Sequence, residues 1–191
     1  PLAFIDLQTA VVAGDWSVED DRLRVLPGDH ARLMLPGDVP RYYLQEVTVQ
    51  TQAPSAGAEA PAETGSAIAF IVPVHGRAAT ILLDEKTADG YRCRIAVAPD
   101  ATDESWQTPP YDQPLFAPKA ARTVRILVQQ QRLLVRVDDQ IIFDVPADGP
   151  FTVPAEWQVR EPEMITIGAH RVGVAFSRIT RIPVKPATAA P

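Results

Sequence analysis

The stretch PDATDESWQTPPYDQPLFAPKAAR (99–122) sets Trp106, Tyr111 and Phe116 among acids and prolines, without the alternation of a strand. Flat aromatic faces stack on pyranose rings, while neighbouring carboxylates, here Asp103 and Glu104, accept hydroxyl protons. Prolines hold such a loop in shape and lower the entropic cost of ordering it. A competing reading folds the same three rings back as anchors on the body of the domain. His75 and Arg77, in VHGR (74–77), mark a hairpin turn and are further candidates for ligand contact.

Hydrolytic chemistry is harder to place. A glycosidase needs two carboxylates about 5–5.5 Å apart for retention or about 6.5–9.5 Å for inversion. DATDE (100–104) and REPE (160–163) have the letters but sit in Pro-rich loops, and VEDD (18–21) reads as a turn. Cys93, the single cysteine, lies in a strand-like run with no histidine patterned around it and reads as a small core side chain. His30, His75 and His170 follow no zinc spacing. No cofactor is expected; calcium stays open, because DDQ (138–140) and DATDE could supply oxygen ligands.

The elements that must position these residues are strands. RLRVL (22–26) alternates on Leu23 and Val25, ARLML (31–35) on Leu33 and Leu35, and YYLQEVTVQTQ on Val47 and Val49. Leu44 breaks that parity, which predicts a bulge near Gln45 or a strand covered on both faces. Ile68, Phe70, Val72 and Val74 run to the turn at HGR, and Ala79, Ile81 and Leu83 return. Tyr91, Cys93, Ile95 and Val97 face one way, Arg92 and Arg94 the other. VRILVQQQRLLVRVDDQIIFDVP (124–146) is a three-strand meander on Val124, Ile126 and Val128, then Leu133, Val135 and Val137, then Ile141, Phe143 and Val145. A closing pair carries Val174 and Phe176, whose parity Ile179 breaks, predicting a second bulge. Near the start, Phe4, Leu7 and Val11 could share one side of a short helix. Trp16 and Trp157 read as core or edge-covering residues.

This pattern predicts an all-β, antiparallel two-sheet β-sandwich, with a closed barrel as the alternative. A single domain over residues 1–184 is expected, interrupted by a flexible Ala/Pro/Gly/Ser loop (51–66) and followed by a tail or linker (185–191). The chain begins at Pro1 without Met, as a processed or excised piece would. With 191 residues it can bury a real core.

The order of features resembles the concanavalin A-like lectin/glucanase superfamily. The resemblance is nearest to bacterial jelly-roll domains grouped with laminin G-like modules and with a 3-keto-disaccharide hydrolase-like domain. It rests on VVAGDWSVEDDRLRV (11–25), YYLQEVTV (42–49), TVRILVQQQRLLVRVDDQIIFD (123–144) and ITIGAHRVGVAFSRITRIPV (165–184). Asp139 stands where that pattern has Gly. The resemblance implies a jelly roll whose concave face or rim loops bind saccharide. The glucanases carry Glu-x-Asp-x-(x)-Glu on one strand, and this sequence has no such strand.

The expectation is therefore a non-catalytic carbohydrate-binding or recognition module. The alternatives are a structural or protein-interaction domain of a larger protein, and a glycoside hydrolase whose carboxylate pair forms only on folding. Partners would be a saccharide or neighbouring domains of the same protein. A formal charge of −6 with scattered cations argues against nucleic acid. No apolar run is long enough for a membrane-spanning helix. Lys86, Lys119 and Lys185 are the only lysines among the 18 cations, which reflects composition as simply as it reflects anion recognition. One cysteine neither requires nor forbids export, and an extracytoplasmic location is favoured.

Overall fold

A computed structural model describes residues 2, 5–52, 64–101 and 104–186, with the backbone alone at Glu104. Alternation becomes two antiparallel sheets. The six-stranded sheet runs β1 (Val11–Ala13), β4 (Ala31–Met34), β12 (Thr166–His170), β6 (Ala67–Val74), β7 (Arg77–Thr87), β8 (Gly90–Ile95). The seven-stranded sheet runs β11 (Gln140–Pro146), β10 (Arg132–Val137), β9 (Ala121–Val128), β5 (Tyr43–Thr51), β13 (Val174–Pro183), β3 (Arg22–Val25), β2 (Trp16–Glu19). Two separate sheets make a sandwich, not a closed barrel.

The inward parities meet between the layers. Ile68, Phe70, Val72 and Val74 face Val47, Val49, Val124, Ile126 and Phe176, all at most 1% exposed. Trp16 lies over Phe176, with ring centroids 5.9 Å apart. The hairpin turns are tight and left-handed: Asp20 and Asp21 have φ of 50° and 55°, and His75 and Gly76 have 49° and 81°. Such backbone matches the twist of the strands it joins.

Several local expectations need correction. VEDD is not all turn, because Val18 and Glu19 complete β2. The helix is one turn, Leu7–Ala10, capped by Asp6, and Val11 already belongs to a strand. Phe4 and residues 53–63 of the expected loop lie outside the described residues. The edges of that loop are ordered: Thr51 closes β5, and Ser66 accepts from the Lys86 amide at 2.9 Å.

Ile141 does not share the face of Phe143. The β10–β11 register slips between Val135 and Arg136, so Ile142 packs on the core and Ile141 is 53% exposed. The parity break at Leu44 has a different cause from a bulge in its own strand. β5 pairs with β9 without interruption, so Leu44 points outward and Gln45 inward at 1% exposed. The bulge sits opposite, in β13 between Ser177 and Thr180, where Arg178 adopts φ 47°. That bulge is the one Ile179 predicts.

The six-stranded sheet carries a third layer. Residues 151–159 cross its outer face, where Trp157, Val153 and Val159 cover Ala67, Ala69, Ile71, Ala78 and Leu82. The Arg32 guanidinium clasps this strap through the carbonyls of Glu156 at 3.0 Å and Gln158 at 2.5 Å. Trp157, 2% exposed, thus covers a sheet from outside.

Candidate functional site

Antiparallel pairing sends the ends of β4, β6, β11 and β13 and the starts of β5, β7 and β10 to one end of the sandwich. The loops gathered there include 35–42, 75–76 and 147–151. His75 is exposed at the β6–β7 turn and meets half-exposed Tyr42 edge-on, 5.8 Å between centroids. The Arg41 guanidinium lies 5.4 Å from the Tyr42 centroid. Arg77, also exposed, reaches the Gly149 carbonyl at 3.4 Å.

Trp106 ends the 3-10 turn Glu104–Trp106 and belongs to the same end. It is 7% exposed and packs edge-on against Phe151 at 5.6 Å. Gly149 lies directly beneath: an added Cβ would come within 2.5 Å of the indole. Its ring therefore fixes the 147–151 loop. Asp103 and the Glu104 side chain lie outside the described residues.

Tyr111 and Phe116 go to the other end. A register shift in β7 between Leu82 and Glu85, with Asp84 at φ 53°, turns the Asp84 carboxylate inward. It accepts from the Tyr111 hydroxyl at 2.6 Å and from the amides of Leu115 at 2.9 Å and Phe116 at 2.7 Å. Burial pushes the Asp84 pKa up against the pull of these three bonds. Tyr111 also lies 3.2 Å from the Cys93 sulfur and stacks on Tyr91, over which Lys86 is placed 4.3 Å from the centroid. Burial raises the Cys93 thiol to about 11, too high for a nucleophile at neutral pH. Phe116, 2% exposed, is core. At about 3.3 Å per residue, Asp84 is roughly 23 Å along β7 from Arg77. The candidates thus divide into His75, Arg77 and Trp106 at one end and Tyr111 and Phe116 at the other.

Asp138, in DDQ, accepts from the Thr123 amide at 2.8 Å and Arg122 at 3.0 Å, a hairpin-closing role. Glu85 is held by Arg92 and Arg94 at 3.0 and 2.8 Å; burial works to raise its pKa, but the two guanidiniums prevail and lower it. Among the described residues, no three His, Cys, Asp or Glu side chains gather as a metal site would require.

Two constellations escaped the sequence. His30 and His170, far apart in the chain, stack at 3.9 Å, and the His30 amide donates to His170 Nδ1 at 3.1 Å. Trp157 meets His30 edge-on at 4.9 Å, so the pair borders the strap. The second is a cleft of about 330 Å³ at the same end as Tyr42 and His75, lined by residues of the N-terminal segment, the 35–40 loop, β5 and β13. Gln45 and Arg181, directly opposed across β5 and β13, are among its lining. The two parity breaks were their only trace in the sequence.

No protein-family model and no curated protein matches this sequence. Solved structures match the fold. Carbohydrate binding module CBM66 from Bacillus subtilis aligns over 90% of this chain and 93% of its own, with TM-score 0.57 and 11% identity. The Emp46p carbohydrate recognition domain aligns over 96% and 94%, with TM-score 0.57 and 14% identity. A Crh5 transglycosylase in complex with NAG aligns over 96% and 81%, with TM-score 0.58 and 13% identity. At such identity the likeness is one of architecture. The chain shares with these proteins the architecture of two facing antiparallel sheets.

Proposed function

We propose that this protein is a non-catalytic carbohydrate-recognition module whose ligand docks at the end of the sandwich bearing Arg41, Tyr42, His75 and Arg77. The observation that carries this reading is the half-exposed Tyr42 ring set against the exposed His75, on a sandwich similar in fold to a carbohydrate binding module and a carbohydrate recognition domain. An aromatic ring offers its face to the C–H side of a pyranose, and flanking arginines donate to hydroxyls. Trp106 serves this site from below, by fixing the 147–151 loop against which Arg77 rests. The well-buried carboxylates, Asp84 and Glu85, are engaged in holding a loop and two arginines, which favours recognition over hydrolysis.

A glycan array on the whole chain, followed by calorimetric titration of the best hit, tests the proposal. Tyr42→Ala and His75→Ala should each weaken binding about ten-fold, in keeping with the loss of one ring contact. Binding indifferent to both substitutions, or an array without a hit, rejects it.

A further inference from the structure

The bulge in β13 has a chemical consequence. Upstream of it, Val174 and Phe176 point into the core; downstream, the shifted parity turns Ile179, Arg181 and Pro183 toward the cleft. In regular alternation from Phe176, Arg181 would face solvent. Bulges commonly re-aim a side chain beside a functional site, and positive φ at a non-glycine residue such as Arg178 is backbone strain that the surroundings must hold.

Arg181 is held in one orientation. Its Nε donates to the Gln45 side-chain oxygen at 3.2 Å, and its Nη1 to the carbonyls of Gly37 and Asp38, both at 2.9 Å. These acceptors are neutral, and among the described residues no carboxylate forms an ion pair with Arg181. The Nη2 nitrogen has no protein acceptor there either. Asp38 offers its backbone to Arg181, while its side chain is at the exposed mouth of the cleft. Gln45, 1% exposed, spends one amide hydrogen on a long 3.3 Å bond to the Glu46 carbonyl and leaves the other unpaired. The half-buried guanidinium thus has no carboxylate bonded to it directly, the Asp38 charge acting on it only from a distance, and it lies beside a buried amide with a spare donor; a carboxylate reaching both gains charge-assisted hydrogen bonds. The walls are apolar: Leu2, Ile5, Leu35 and Ile179, with prolines at 36, 40 and 183. A volume of about 330 Å³ accommodates one or two sugar rings.

From this arrangement we infer that the cleft binds the carboxylate of an acidic sugar, such as a uronic acid, with Arg181 Nη2 and Gln45 Nε2 as donors and the apolar walls against the ring. The inference rests on the saccharide reading above and adds to it a second, anion-selective subsite at the same end.

Titration of the labelled whole chain with D-glucuronate, D-glucose and cyclohexanecarboxylate, followed by NMR, decides it. Glucuronate should shift the Gln45 side-chain amide, Arg181 Nε and the Ile179 methyls saturably. Glucose and cyclohexanecarboxylate should each bind at least ten-fold more weakly. Arg181→Lys, which keeps the charge but loses the fork, should weaken glucuronate ten-fold or more. Ile179→Phe, which fills the cleft and leaves Arg181 in place, should abolish the shifts. The inference is overturned if glucuronate leaves those resonances still, if either control binds as well, or if binding survives Ile179→Phe. A neutral glycan binding through Tyr42 while the cleft stays silent would reject the subsite and leave the rim reading intact.

Discussion

Single residues carry disproportionate weight where the strands irregularly turn a polar group inward. Asp84 alone ties the 111–116 loop to β7 through one hydroxyl and two amides. Asp84→Ala strands three donors at once, two of them backbone groups that cannot move away. Loss of charge-assisted bonds on this scale costs roughly 2–4 kcal/mol, and urea denaturation should register it. The histidine pair makes a second prediction. Burial lowers the pKa of both His30 and His170 below the ordinary 6.5, and for His170 the neighbouring His30 lowers it further. The unfolded chain therefore takes up protons from about pH 6.5 downward, before the native pair does. The stabilisation is complete above that pH and is lost as pH falls through the window beneath it. Melting temperature should drop between pH 7.5 and pH 5, and His170→Asn, a neutral acceptor for the His30 amide, should flatten the profile measured by calorimetry.

At the scale of elements, turn and bulge geometry set which face a side chain finds. The β2–β3 turn places two aspartates at φ 50° and 55°, which Asn-Gly adopts at lower cost. Asp20→Asn alone, which leaves the Asp21 carboxylate accepting from the Leu2 amide at 2.8 Å, should raise stability by about 0.5 kcal/mol, seen as a higher urea midpoint at unchanged slope. The β13 bulge absorbs one extra residue between Ser177 and Ile179 and so keeps Ile179 and Arg181 on the cleft face. Deleting Arg178 removes that extra residue, so Phe176, Ile179 and Arg181 alternate regularly and the pair still faces the cleft, with Arg181 opposite Gln45. We expect stability to change by no more than about 1–2 kcal/mol, with the Arg181 contacts to the 35–40 loop retained, read by thermal melting and by unchanged amide exchange there.

The whole molecule is a sandwich with a partial third layer. The outer face of the six-stranded sheet is apolar along β6 and β7, and the chain covers it with its own 151–159 strap. Gly168 keeps the strap close, since a Cβ there would stand 3.0 Å from the Trp157 ring and 2.5 Å from the Ala31 carbonyl. Trp157→Ala should uncover Ala69 and Leu82 and cost about 3–5 kcal/mol, with hydrophobic-dye binding marking the exposed face. If the strap were a loose surface loop, the same substitution would change stability by less than about 0.5 kcal/mol.

The sequence alone determined the layers. Period-two runs such as Ile68–Val74 and Val124–Val128 can bury their apolar parity only in facing sheets, and local turn chemistry at Asp20–Asp21 and His75–Gly76 agrees with that pairing. It also flagged, as breaks in parity at Leu44 and Ile179, the place where the pattern fails. What it could not determine is which strand yields, because a bulge is a property of two paired strands and the parity of one is silent about its partner. Nor could it bring together His30 with His170, Gln45 with Arg181, or Asp84 with Tyr111: those meetings depend on strand order and register, which long-range packing fixes. For the same reason the aromatics of 99–122, continuous in the chain, part to opposite ends once the strands between which they run are laid side by side.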